Sequence, residues 1–208
     1  MPAPARGGPR GATEATREDH QHHNCEEGVG NGRRRMSRAT VTPEEIHDHL
    51  LDRFGGDVVT GLVQSDESDP KSPVIYDPAQ SMIGASAIAD VAMFCRDDDA
   101  LRLDALMCLS ALDRGAHLSV VYNLHSMAHG HVAALRVDVP RTAAVVPSVE
   151  RVWTTASWHE REAHDLMGIA FSGHSDLRPL ILPEGWEGYP LRKDYEAQEY
   201  YRGMKVPF

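Results

Sequence analysis

The densest run of chemically competent side chains is Trp158-His159-Glu160-Arg161-Glu162-Ala163-His164-Asp165. It resembles H-E-x-x-H, and so suggests zinc, but the spacing argues against a metal site. His159 and His164 stand five apart, about 140° around a helix, whereas metalloproteases place both imidazoles at i and i+4 so that they face one ion. Acid–base catalysis by paired carboxylates is the second possibility. Glu160 and Glu162 are two apart, however, and point to different sides of a helix. The i, i+4 pairs Arg161/Asp165 and Glu160/His164 predict instead a helix laced by ion pairs. A free-standing hydrolase using His159, Glu160 and Glu162 is the enzymatic alternative, and stoichiometric zinc on the purified chain would favour it.

Other catalytic grammar is sparse. Cys25, Cys95 and Cys108 are far apart, without C-x-x-C, so ligands for an iron–sulfur cluster or a cysteine zinc site are missing. Their odd number argues against a disulfide framework. Neither phosphate-loop, dinucleotide-fold nor nucleophile-elbow motifs occur. The tract His20, His22, His23 and Cys25 reads as a solvated cluster rather than a metal site, and Arg33-Arg34-Arg35 as a solvated charge run. Net charge is −10 over 208 residues, which disfavours non-specific nucleic-acid binding. Residues 1–40 carry seven Arg against five acids, and the remainder 14 basic against 26 acidic residues, a net −12. No apolar run approaches the ~20 residues of a membrane span, and the N-terminus lacks an apolar signal-peptide core. These features predict a soluble or peripheral, intracellular protein.

The elements that must position these residues follow from periodicity. Residues 1–40 lack large apolar side chains and predict a disordered tail, with Met36 as an alternative start. Thr42-Pro43-Glu44-Glu45 is a capping box opening a helix whose apolar face is Ile46, Leu50, Leu51 and Phe54, stopped by Gly55-Gly56. Val58–Gln64 and Val74-Ile75-Tyr76 read as strands, Ile83–Cys95 as a helix, and Asp97-Asp98-Asp99 as the cap of a further helix over Leu101–Met107. Strands over Cys108–Leu112, His117–His125 and His131–Val139 predict an antiparallel meander. The class is α+β: a mixed or antiparallel sheet with packed helices over residues 41–171. Ser148–Thr154 reads as a short helix, and Ser157-Trp158-His159-Glu160 as a second capping box whose helix ends at Gly168. Residues 172–208 have little periodicity yet hold six of 13 aromatics: Trp186, Tyr189, Tyr195, Tyr200, Tyr201 and Phe208. That combination predicts a long extended arm whose aromatics bury against another surface.

The run Glu160-Arg161-Glu162-Ala163-His164-Asp165-Leu166-Met167-Gly168, continuing through His174, Leu177 and Arg178, resembles the signature of the thirty-kilodalton subunit (the C-subunit) of NADH-quinone oxidoreductase, respiratory complex I. The likeness extends to Leu180-Ile181-Leu182-Pro183, Trp186-Glu187-Gly188 and Pro190-Leu191-Arg192-Lys193-Asp194-Tyr195, and backward through Trp158, Trp153 and Val146-Pro147-Ser148-Val149 to Val120–Ser126. It covers about Leu109–Tyr195, is weak over 41–108 and absent before. Ser175, where the family usually has Pro, and Pro179, often basic there, depart from the pattern.

The resemblance implies a structural subunit of the hydrophilic arm of a proton-translocating NADH-quinone oxidoreductase. Activity would belong to the complex, with no catalytic, cofactor or metal residue in this chain. Flavin and iron–sulfur clusters would sit in partner subunits, and quinone and NADH would be met only through the complex. The signature residues, from Glu160 to Tyr195, would form the subunit interface. The arm would dock chiefly on the large quinone-site subunit, at the cytoplasmic face of the bacterial inner membrane. Related subunits of membrane-bound hydrogenases and other quinone-reducing complexes are the alternative.

Overall fold

The computed structural model describes residues 40–66 and 74–206. The expectations for residues 1–39, including the histidine tract and Arg33-Arg34-Arg35, and for Phe208 lie outside the described residues.

The Thr42 hydroxyl accepts from Glu45 N while the Glu45 carboxylate accepts from Thr42 N, so the capping box closes and starts α1, Pro43–Phe54. Ile46 and Leu50 are buried and Gly55, at φ 80°, ends the helix. Leu51, expected on the buried face, turns outward. β1, Val59–Asp66, pairs antiparallel with β2, Val74–Ile83. A single 3-10 turn leads to α2, Ile88–Asp97, which buries Ile88, Val91, Ala92 and Cys95. This helix begins later than its periodicity suggested because Ile83 completes β2. Burial raises the Cys95 thiol, assisted by Asp98, to about 12, so it serves as a small apolar side chain.

No helix forms over Leu101–Met107. The Asp98 carboxylate accepts from Ala100 N and Leu101 N, Arg102 adopts φ 42°, and the chain turns directly into β3, Ala105–Asp113. The local side-chain bonds of Asp98 supply a turn that competes with the helix. Trp153 then locks this turn by giving its indole N–H to Leu103 O at 3.0 Å.

β4, His117–His125, and β5, Val132–Pro140, complete a sheet of order β1-β2-β5-β4-β3. The pairings β3–β4 and β4–β5 are antiparallel, as the meander required, but β2–β5 is parallel. α2 and the β3–β4 hairpin form the long crossover that parallel pairing needs. One face of the sheet carries Leu109, Val120, Tyr122, Leu135 and Val137 into a core shared with both helices, Trp153 and Phe171.

Beyond β5, the short strand β6, Val145–Pro147, runs parallel to β7, Ala170–Ser172, with α3, Ala156–Met167, between them. Residues 150–155 form turns in place of the expected short helix. α3 starts at Ala156 without a side-chain cap, so Ser157 and Glu160 make no capping box. Both are diverted to tertiary contacts. Gly168, at φ 68°, closes the helix. From residue 172 the chain is irregular until a small hairpin, β8 at Tyr200–Tyr201 and β9 at Met204–Lys205. Among the described residues no helix is long and apolar enough to cross a membrane.

Candidate functional site

The signature helix α3 turns its polar residues into three different environments. Glu160 points inward and is fully buried. One carboxylate oxygen accepts from the Ser148 hydroxyl at 2.6 Å and the other from Val149 N at 2.8 Å. Burial raises its pKa, against the lowering effect of these two bonds and of His174. The Tyr122 hydroxyl, buried with no hydrogen-bond partner among the described residues, is likewise pushed up by burial and by the nearby Glu160 charge. His174 accepts at Nδ1 from Asp176 N, so its ring proton sits on Nε2, 3.1 Å from Ser157 O. Glu150 accepts from the backbone and hydroxyl of Ser175 and stands 3.5 Å from His174 Nε2. This cluster anchors the start of the arm.

The expected ion pairs on α3 are absent. Arg161 donates instead to Arg178 O and Pro179 O, and its guanidinium lies over the Trp158 ring. Asp165 Oδ2 accepts three consecutive backbone N–H groups, from Leu180, Ile181 and Leu182, at 3.0, 2.7 and 2.8 Å. An irregular segment has no ladder to satisfy these donors, and one carboxylate does it. His164 gives its Nδ1 proton to Ile169 O. The i, i+4 rule applies to an isolated helix; here the returning chain outcompetes the neighbouring turn.

Further along, Arg192 donates to Met167 O and Gly168 O and stacks on Tyr189. Gly168 is obligatory at this crossing. A Cβ there would meet the Tyr189 ring at 2.5 Å and the Arg192 guanidinium at 2.8 Å. Asp113 accepts from Lys193 N and Gly115 N and pairs with Arg141, which also pairs with Asp194. Trp186 donates to the Tyr195 hydroxyl and packs against Tyr201. Leu177 packs on the core, Arg178 pairs with Asp176 at the surface, and Pro190 is half-buried.

Most of the signature therefore ties the arm to its own domain. The arm's aromatics, expected to bury elsewhere, partly pack on one another. Large apolar side chains of the arm and of α3 nevertheless stay exposed: Ile181 by 58%, Leu191 by 57% and Trp158 by 62%. Asp113 and Arg141 belong to this arrangement although no sequence motif singled them out, and Tyr189 stood out only as one of the arm's aromatics. Asp113 carried a signal only as a hairpin residue.

Burial alone would raise the Asp113 carboxyl, but the bonds from Lys193 N, Arg141 and Gly115 N outweigh it and hold it at about 2. Such a depressed acid contributes stability that is present above its ordinary 3.8 and lost as pH falls through about 2. Asp113→Asn should cost roughly 2 kcal/mol at neutral pH. In thermal melts at stepped pH, its deficit against the unsubstituted chain should shrink between pH 4 and 2. A deficit independent of pH would contradict this assignment.

The hydrolase triad is not assembled. Glu160 faces the core, whereas His159 and Glu162 line a separate cavity of about 240 Å³ with Cys108, Leu166 and Leu191. Among the described residues, no group of three or more His, Cys, Asp or Glu could hold a metal ion.

Residues 82–201 match the family described as the respiratory-chain NADH dehydrogenase, 30 Kd subunit. The chain is similar to an NADH-quinone oxidoreductase C-subunit from Chloroherpeton thalassium, 40% identical over 168 residues, covering 80% of this chain and 66% of that one. It is 50% identical over 122 residues to the corresponding C-subunit from Chlorobium phaeobacteroides, covering 57% and 74%. A chain of the archaeal membrane-bound sulfane sulfur reductase shares the fold, with TM-score 0.55 at 22% identity over 74% of this chain and 85% of that one.

Proposed function

The chain belongs to the 30 Kd subunit family of the respiratory-chain NADH dehydrogenase, and on that premise we propose that it is a non-catalytic structural subunit of the hydrophilic arm of a proton-translocating NADH-quinone oxidoreductase. Its task is to present a preformed surface, not to touch a reacting atom. The observation that carries this reading is the fate of the signature. Asp165, Gly168 and Arg192 are consumed in fastening the arm to α3, and Glu160 in holding the Ser148–Val149 loop against that helix. Ile181, Leu191, Tyr200 and Met204 are left facing outward. Exposed apolar side chains on a segment fastened to its own domain are what a docking surface needs.

In this reading the outward side of the arm meets the large quinone-site subunit, and flavin and iron–sulfur clusters reside in neighbouring subunits. NADH and quinone are met only by the assembled complex. The complex lies at the cytoplasmic face of the inner membrane, and this chain reaches the membrane only through its partners. Affinity purification of the tagged full chain from native membranes tests the proposal. Recovery of the quinone-site subunit together with an NADH-oxidising flavin module is expected. Recovery with a hydrogenase or another donor module would assign the chain to a related quinone-reducing complex. Isolation as a free protein with hydrolytic activity would overturn the reading.

A further inference from the structure

Between α3 and the returning arm lies a cavity of about 200 Å³ whose walls include His164, Asp165, Leu182, Pro183, Trp186 and Tyr189. Its chemistry is one-sided. Asp165 is 6% exposed, and its Oδ2 is taken by three backbone N–H groups. Its carboxylate is the only one in the cavity wall, and no further hydrogen bond reaches it from the described residues. His164 gives its Nδ1 proton to Ile169 O, so Nε2 carries a lone pair and also accepts. None of the lining residues is Lys or Arg. The two flanking cations are committed to backbone carbonyls, Arg161 to Arg178 O and Pro179 O, Arg192 to Met167 O and Gly168 O. Trp186 and Tyr189 add aromatic walls, which favour a cation.

A hole whose own lining holds a carboxylate acceptor, an imidazole and two aromatic rings, but no Lys or Arg, favours a donor-rich cation over an anion or a purely apolar side chain. A guanidinium satisfies all three features, because it donates in a plane to carboxylate and imidazole and stacks on aromatic rings. The surrounding chain is acidic, net −12 from residue 41 onward, with 14 basic against 26 acidic residues, which also favours a basic partner. We propose that this cavity receives the guanidinium of an arginine from a neighbouring subunit. The identity of that neighbour rests on the function proposed above; the selectivity of the cavity does not.

The test has two arms. The purified full chain is titrated with n-butylguanidinium and, in parallel, with neutral n-butylurea of the same shape, while the amide resonances of Leu180, Ile181 and Leu182 are followed. Saturable shifts confined to the cavity are expected for the cation, with at least about tenfold weaker binding of the urea. Asp165→Asn keeps an oxygen for the three N–H groups and removes the charge, so it should abolish the cation response while trypsin cuts the arm no faster than in the unsubstituted chain. If that substitution frees the arm, Trp186→Leu takes its place, with cation binding expected to weaken about fivefold or more. In native membranes, Asp165→Asn should lower the amount of complex containing this chain about tenfold. Equal binding of the two probes, shifts scattered over the surface, or assembly of Asp165→Asn at the unsubstituted level would overturn the proposal. If the chain purifies without quinone-oxidoreductase subunits but the titration is selective, the functional reading fails and the basic-side-chain site stands.

Discussion

Glu160→Ala is expected to lower the unfolding free energy by about 3–4 kcal/mol, a fall of roughly 10 °C in melting temperature for a chain of this size. The loss has two sources. Val149 N and the Ser148 hydroxyl lose the acceptor that serves both of them, and a fully buried side chain leaves a void behind it. Glu160→Gln keeps an acceptor and should cost far less. The two variants also differ from the parent in their response to pH. Because burial raises the folded pKa of Glu160 above its ordinary 4.5, its favourable contribution is fully present below 4.5 and is lost as pH rises through the folded value. The melting temperature of Glu160→Gln should therefore gain on the parent as pH rises above 4.5. Calorimetry from pH 4 to 8 reads both effects. A Glu160→Ala penalty below about 1 kcal/mol would mean that the buried pairing contributes little.

Gly168→Ala should detach the middle of the arm while leaving the sheet intact. The residue sits at φ 68°, where an alanine costs about 1 kcal/mol or more, and the new Cβ would stand 2.5 Å from the Tyr189 ring. Tyr189 and Arg192 must both move, so the bonds to Met167 O and Gly168 O are lost with them. The expected total is about 2–3 kcal/mol. Limited trypsin digestion should cut at Arg192 and Lys193 at least tenfold faster than in the parent, on the order of the population change that 1.4 kcal/mol produces. An unchanged cutting rate would show that the arm is held elsewhere.

These two positions mark where the sequence was legible and where it was not. Local rules sufficed for the first helix, because Thr42 and Glu45 satisfy each other within one turn. They sufficed for β3, β4 and β5, whose apolar runs are separated by polar turns. They failed at Leu101, where three aspartates read as a helix cap but Asp98 builds a turn. On α3 they also failed, because Ser157, Glu160, Arg161 and Asp165 have local partners in the sequence and better ones in space. Residues 172–208 stood out as an aperiodic, aromatic-rich segment, but the return of this segment along α3 depends on backbone donors and acceptors, which no side-chain pattern reveals. The parallel β2–β5 pairing is hidden for a similar reason: strand order is set by the crossover and not by either strand. The family signature could be read as a resemblance, whereas its role as a fastening emerges only from the contacts of Asp165, Gly168 and Arg192.

On the proposed function, this chain builds a surface and takes no part in the chemistry. The most direct test of that role is NADH:quinone turnover per assembled complex, with complex quantified on a native gel, for membranes carrying Glu160→Ala or Gly168→Ala. The amount of complex should fall in proportion to the stability lost, while turnover per complex stays within about twofold of the parent, because neither residue touches a reacting group. Full assembly with turnover lowered more than about a hundredfold, the scale of a lost acid–base group, would contradict the account.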